Sequence, residues 1–156
     1  MTSRSSCRWV GAVVAGLVVA APLRAQAPTR QQIDSLMADQ VPAANAHDAE
    51  RFLAAFAQDS TLLFVFNGTI IRGYQPLLEQ QRKWWSNGTA GVVYERTAPP
   101  EITILAPGVA LAVDRLASHH TLPSGEVRTG DFVVMLVWRL RPEGWRIVAA
   151  HESTVH

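Results

Sequence analysis

Two short polar strings in this chain carry the side chains best suited to moving protons. They are His119-His120 and, close to the C-terminus, His151-Glu152. An imidazole changes charge near neutral pH, and a carboxyl group shut into apolar surroundings holds its proton to higher pH than usual. Both strings fall on segments that read as strands, where neighbouring side chains point to opposite faces. Only one member of each pair can therefore face a pocket, and His119 and His120 cannot ligate one metal ion together. The sequence offers no other group of His, Asp or Glu with ligand spacing, no serine-nucleophile motif and no phosphate-cradling glycine loop. No metal and no cofactor are expected. Asn67-Gly68-Thr69 and Asn87-Gly88-Thr89 match a glycosylation acceptor pattern, but both are accounted for as turns.

The element that must position these groups is the hairpin Gly130–His156. Its first arm, Asp131–Arg141, is almost unbroken Val, Leu, Met, Phe and Trp, a composition that packs well on a pleated surface. Period two puts Phe132, Val134, Leu136, Trp138 and Leu140 on one face and Val133, Met135 and Val137 on the other. Both faces are apolar, so both call for cover. Pro142-Glu143-Gly144 supplies the turn, and the return arm starts at Trp145. Strict alternation places His151 with Trp145, Ile147 and Ala149 as a packing or interface residue. It sets Asp131 with Val133 and Met135.

Upstream, Thr29 is positioned to cap a helix in which Ile33, Leu36, Met37 and Val41 recur at spacings of three and four. Pro42 should kink or end it. Asp48 caps a short second helix bearing Phe52, Leu53 and Phe56. A hairpin follows, Thr61–Phe66 and Thr69–Arg72, turned by Asn67-Gly68. A third helix, Tyr74–Trp85, has Pro76 in its first turn and turns Leu77, Leu78 and Gln81 inward. After Gly91 only strands fit: Val92–Thr97, Glu101–Ala106, Val109–Leu122 and the long hairpin, punctuated by Pro and Gly. Helices first and an antiparallel meander afterwards make an α+β fold, with helices on one face of a strongly curved sheet.

Residues 1–25 stand outside that domain. Arg4 and Arg8 precede the apolar run Trp9–Ala21, and Pro22 leads to small residues around Ala25, the pattern of a cleaved secretory signal. The run is shorter than the roughly 20 residues a spanning helix needs. We expect export to the periplasm or medium with cleavage after Ala25, leaving residues 26–156 as the mature domain and no membrane association. Cys7, the only cysteine, leaves with the signal. The mature chain then has 11 basic and 13 acidic residues, a net charge of −2. That removes the electrostatic case for nucleic-acid binding.

Several strings in fixed order resemble the nuclear-transport-factor-two-like superfamily, in particular its SnoaL-like members. They are Asn45-Ala46-His47-Asp48 with Phe52, Phe56 and Asp59, then Ile71-Arg72-Gly73 before a helix, then Trp138, Trp145-Arg146-Ile147-Val148 and finally His151 and Ser153. The resemblance covers residues 29–154. It implies a cone-shaped curved antiparallel sheet closed by three N-terminal helices, a pocket inside, and homodimers that pair sheet against sheet. The superfamily hosts isomerases, dehydratases, cyclases and plain binding or assembly modules, so fold alone does not give function.

Comparison with ketosteroid isomerases puts Phe64 where those enzymes carry the Asp base and Gln40 near the oxyanion Tyr, which argues against that chemistry. A scytalone-dehydratase-like reading would recruit His119, Tyr94 and Asp131. Similarity to the association domain of calmodulin-dependent kinase implies that Glu152 faces the pocket and that Tyr94 and Ala117 lie on its wall. Parity then carries Arg115 and His119 inside with Ala117, and Arg115 becomes the partner for Glu152. Phe56, Phe64, Phe66 and Trp85 complete an apolar lining suited to a small ring compound. The first expectation is binding of a small hydrophobic or aromatic molecule, with Tyr94, Arg115, Phe56, Phe64, Phe66 and Trp85 as ligand contacts. The second is a cofactor-free lyase or isomerase using His119 and Glu152 as proton carriers. The third is a dimeric assembly module built on a solid cone.

Overall fold

Pro42 sets the first break in the chain. In the computed structural model, which describes residues 26–88 and 90–155, helix α1 (Gln26–Ala38) stops four residues ahead of it. A proline ring collides with the carbonyl four positions back and offers it no N–H. The regular helix therefore ends at Ala38, and Pro42 sits in the first turn of α2 (Gln40–Asn45). Thr29 lies inside α1 rather than capping it, because the helix already runs from Gln26. The expected signal, residues 1–25, lies outside the described residues.

One turn of helix, α3 (Ala49–Phe52), follows, and its first orphan donors are met by Asp48, whose Oδ1 accepts from the Arg51 N–H at 3.0 Å. Strands β1 (Leu63–Phe66) and β2 (Thr69–Arg72) are joined by Asn67 and Gly68, with φ of 43° and 83°. Two positive φ values in a row make the tight turn whose twist matches that of paired strands. Helix α4 (Tyr74–Trp84) buries Leu77, Leu78 and Gln81.

The sheet then builds from β3 (Val92–Arg96), β4 (Glu101–Ala106), β5 (Val109–Thr121), β6 (Val127–Arg141) and β7 (Gly144–Thr154). Its order is β2-β1-β7-β6-β5-β3, with β4 also paired to β5. The expected antiparallel meander holds for β5, β6 and β7. One pairing departs from it: β1 lies parallel to β7, with Phe64 beside Ala150 and Phe66 beside Glu152. The first hairpin docks on the last strand, so the sheet is mixed.

The helices cover one face of this sheet. Ile33 and Met37 of α1, Leu53, Phe56 and Leu77 bury against Trp138, Leu136 and Ile147. Each of these apolar side chains contributes on the order of 1.5–3 kcal/mol by leaving water. The result is the α+β fold that the sequence pattern predicts, in the cone form that the resemblance implies.

A bulge governs the last strand. Val137 pairs with Ala149, yet Trp138 pairs with Ile147, so Val148 has no partner of its own. An extra residue reverses the alternation beyond it. Trp145 and Ile147 are buried before the bulge, and Ala150 is buried after it. The expectation that His151 shares a face with Trp145 and Ile147 is thereby corrected. His151 points outward, and Glu152 points in.

Candidate functional site

Cross-strand register lays the inner face of the sheet out in rows. Asp114 on β5 sits opposite Val134 on β6, Val134 opposite Glu152 on β7, and Glu152 beside Phe66 on β1. The next row runs Ala112, Leu136, Ala150 and Phe64. Between these rows and the helices lies a cavity of about 160 Å³, roofed by Gln40, Val41 and Ala44 of α2, by Phe52, and by Gln81 and Trp84 of α4 with Trp85 just beyond its end.

Its walls are mainly aromatic. The Trp84 ring lies 5.1 Å from Phe66 and 6.1 Å from Phe64. Trp85 meets Phe52 edge-on at 5.2 Å, and Phe132 meets Tyr94 edge-on at 6.1 Å. These spacings are those of rings packed with favourable quadrupole geometry. Tyr94 is held from two sides. The Asn45 side chain accepts from the Tyr94 N–H at 2.6 Å and donates to its carbonyl at 2.9 Å, while Trp85 Nε1 donates to the hydroxyl at 3.1 Å. His47, at φ 50°, donates through Nε2 to the Val92 carbonyl at 2.8 Å and lies 5.8 Å from the Trp85 ring. The edge strand β3 is thus pinned to the helices where it contributes its tyrosine.

Two carboxyl groups face this cavity, in opposite circumstances. Asp114 is only 3% exposed and is gripped by Arg96, whose Nε and Nη2 reach it at 2.8 and 2.7 Å. Arg96 Nη2 also donates to the Met37 carbonyl at 3.2 Å, tying β3 to the end of α1. Glu152 has hydrocarbon on both sides in its row, Val134 and Phe66. No cation or donor among the described residues answers it, and burial pushes its carboxyl up to about 7. Burial also raises the Tyr94 hydroxyl, opposed by the Trp85 N–H and reinforced by the negative charge of Glu152. Among the described residues no three His, Cys, Asp or Glu side chains gather closely enough to hold a metal ion.

Of the side chains singled out in the sequence, Phe56, Phe64, Phe66, Trp85, Tyr94 and Glu152 line this cavity. His119 and Arg115 do not. His119 Nε2 lies 3.2 Å from Glu95 Oε1, and Arg115 Nη1 lies 2.5 Å from Glu101 Oε1, both pairs on the outer face. The reason is register. Leu116, not Ala117, sits opposite Phe132 on the inner face, and a shift of one residue moves every side chain of a strand to the other side. His119 and Glu152 are therefore on opposite faces of the sheet and cannot reach a common ligand atom. Gln40 and Phe64, at the positions where ketosteroid isomerases would carry Tyr and Asp, both face the cavity.

A profile of the SnoaL-like domain matches residues 33–156. The chain belongs to the SnoaL-like domain family. Among curated proteins none matches the sequence. Solved structures agree on the fold. A nuclear transport factor 2-like superfamily protein from Salmonella enterica superposes with a TM-score of 0.73 at 19% identity, covering 84% of this chain and 94% of that one. The association domain of C. elegans CaMKII gives 0.66 at 19% identity, covering 83% and 98%. The hexachlorocyclohexane dehydrochlorinase LinA-type3 from Novosphingobium barchaimii gives 0.71 at 12% identity, covering 84% and 89%. At these identities the likeness is one of fold alone.

This SnoaL-like domain also holds site residues that the sequence reading passed over. Asp114 and its partner Arg96 are the main ones. The signal was present: Asp114 interrupts an apolar strand at the parity of Ala110, Ala112 and Leu116, all buried. An acid at an inward position of such a strand needs a cation nearby. Asn45, which fixes the Tyr94 backbone, carried no signal beyond its membership of the string Asn45-Ala46-His47-Asp48.

Proposed function

We propose that this SnoaL-like domain binds a small molecule with a largely apolar, ring-sized body inside the cone. The observation that supports this reading is the cavity itself, which is aromatic-walled, set within the sheet's concave face and left unfilled by side chains. Its volume of about 160 Å³ compares with the roughly 150 Å³ of an engineered apolar cavity that binds benzene. A cavity of this size speaks against the solid cone expected of a pure assembly module. A ligand that binds only the folded chain raises its melting temperature by mass action. A panel of toluene, phenol and indole should therefore raise Tm in a concentration-dependent way, and a flat response to all three would contradict the proposal.

A second reading is favoured by Glu152 and Tyr94 facing one cavity. A carboxyl group that exchanges its proton near neutral pH, in the same cavity as a hydroxyl group, suits cofactor-free isomerase or lyase chemistry. Without His119 in reach, Glu152 would act as the single proton carrier. Such a site would speed exchange of the α-hydrogens of cyclohexanone in D2O, followed by NMR, and Glu152→Gln would abolish that rate. An unchanged rate in the variant would remove this reading.

Two further parts of the proposal rest on other features. The outer face carries exposed Met135 and Val93, and we take it as the surface of a homodimer. Light scattering should give twice the chain mass, and Met135→Glu should reduce it to one. Export with cleavage after Ala25 rests on the charge and hydropathy of residues 1–25. Mass spectrometry of protein from the periplasm or medium should find Gln26 at the N-terminus.

A further inference from the structure

The cavity takes in two carboxylates and supplies a cation to one of them. Arg96 spends its guanidinium on Asp114 and on the Met37 carbonyl, which leaves that end of the row neutral. At the other end Glu152 has Val134 and Phe66 as strand neighbours and no partner among the described residues. No other element around the cavity faces it with a charge. Helices α2 and α4 contribute amides and rings, β1 and β6 contribute only apolar side chains, and β3 contributes the neutral Tyr94. An ionised Glu152 is thus a part-buried negative charge that no side chain matches, at the edge of an aromatic-walled cavity. Leaving a half-buried carboxylate unpaired among hydrocarbon carries a desolvation cost, and a fold that pairs Asp114 so fully has the means to avoid it.

The geometry points to a small organic cation as the ligand, roughly one ring in size, with a protonated amine or quaternary ammonium against Glu152 and its body among Phe66, Trp84 and Trp85. The faces of aromatic rings attract such cations, most strongly where water is excluded. An anionic ligand would meet repulsion from Glu152. A purely apolar one would leave the carboxylate unanswered. This inference rests on the reading that the cavity is a ligand site, and it adds the charge of the occupant.

Affinity for a cation whose own charge is constant then follows the ionisation of Glu152. The other titratable groups facing the cavity are Tyr94 and the Arg96-bound Asp114. With its carboxyl near 7, Glu152 is ionised about ten times more fully at pH 8 than at pH 6.

The test is calorimetric titration of the full mature chain with benzylamine, tetramethylammonium and toluene at pH 6 and pH 8, on wild type and on Glu152→Gln. The expected result is that benzylamine binds wild type at pH 8 at least about tenfold more tightly than toluene. Both cations should weaken by about tenfold at pH 6, and the Gln variant should lose the preference for the amine. A cooperative melt for the variant shows that it folds. If toluene binds wild type as well as benzylamine does, the cation proposal is overturned while the ligand cavity stands. If none of the three binds at either pH, both fall.

Discussion

The two ends of one sheet row are worth setting side by side. Asp114 and Glu152 are two strands apart, so their backbones are separated by roughly 10 Å, and both project into the same cavity. One is held by a two-pronged guanidinium, and the other faces hydrocarbon. A paired buried carboxylate ties elements together, here β3, β5 and the end of α1. An unpaired one weakens the fold wherever it ionises. On that contrast Asp114 is a structural acid, and Glu152 is the acid that the proposal above assigns to a ligand.

The largest way to break the contrast is to make the first acid resemble the second. Arg96→Met leaves Asp114 buried without a partner and should cost about 3–5 kcal/mol, because removing one member of a buried pair strands the other. Urea denaturation would measure it. Joint replacement by Arg96→Met and Asp114→Leu should recover most of the loss.

The converse change removes the second acid. Relative to its unperturbed value of 4.5, the Glu152 carboxyl stands near 7 in the folded chain. Below pH 4.5 both folded and unfolded chains hold the proton, and the group is silent. Between 4.5 and 7 the unfolded chain has released it and the folded chain has not, so stability falls as pH rises. Above 7 the loss is complete, on the order of 3 kcal/mol. Glu152→Gln should therefore melt several degrees above wild type at pH 8.5, and that advantage should vanish near pH 4.5.

Smaller effects sharpen the picture of what positions the site. Asn45→Ala loses both hydrogen bonds to the Tyr94 backbone and should cost about 1–2 kcal/mol, with faster amide exchange along β3 as its local signature. Asp48→Ala removes the cap of α3 and should cost about 1 kcal/mol in thermal denaturation, with no change in the pH dependence that Glu152 sets.

How far the sequence could be read differs between these regions for physical reasons. Helix breaks, hairpin turns and the long apolar strands are local matters. Pro42, Asn67-Gly68 and the alternation of β6 announced them, and the cone itself came from the family resemblance. The placement of Phe56, Phe64, Phe66 and Trp85 was legible because aromatic side chains on these elements have few other places to go, whereas that of Tyr94 and Glu152 came from the resemblance to the kinase association domain. Facing was harder. A single-residue choice, Ala117 or Leu116, decides whether Arg115 and His119 lie inside, and nothing local makes that choice. Val148 reverses β7 without a glycine or proline to mark it, so alternation alone put His151 with Trp145. The parallel seam of β1 and β7 pairs the start of the sheet with its end, and turn signals say nothing about such a contact.

Glu152 is an unanswered carboxyl group facing an apolar chamber, and its ionisation can be watched directly. In protein labelled with 13C at glutamate side-chain carboxyls, the resonance that disappears in Glu152→Gln should titrate with a midpoint close to 7. A midpoint near the ordinary value of 4.5 would mean that water or an unseen partner reaches the group, and the reading of the chamber given above would be contradicted.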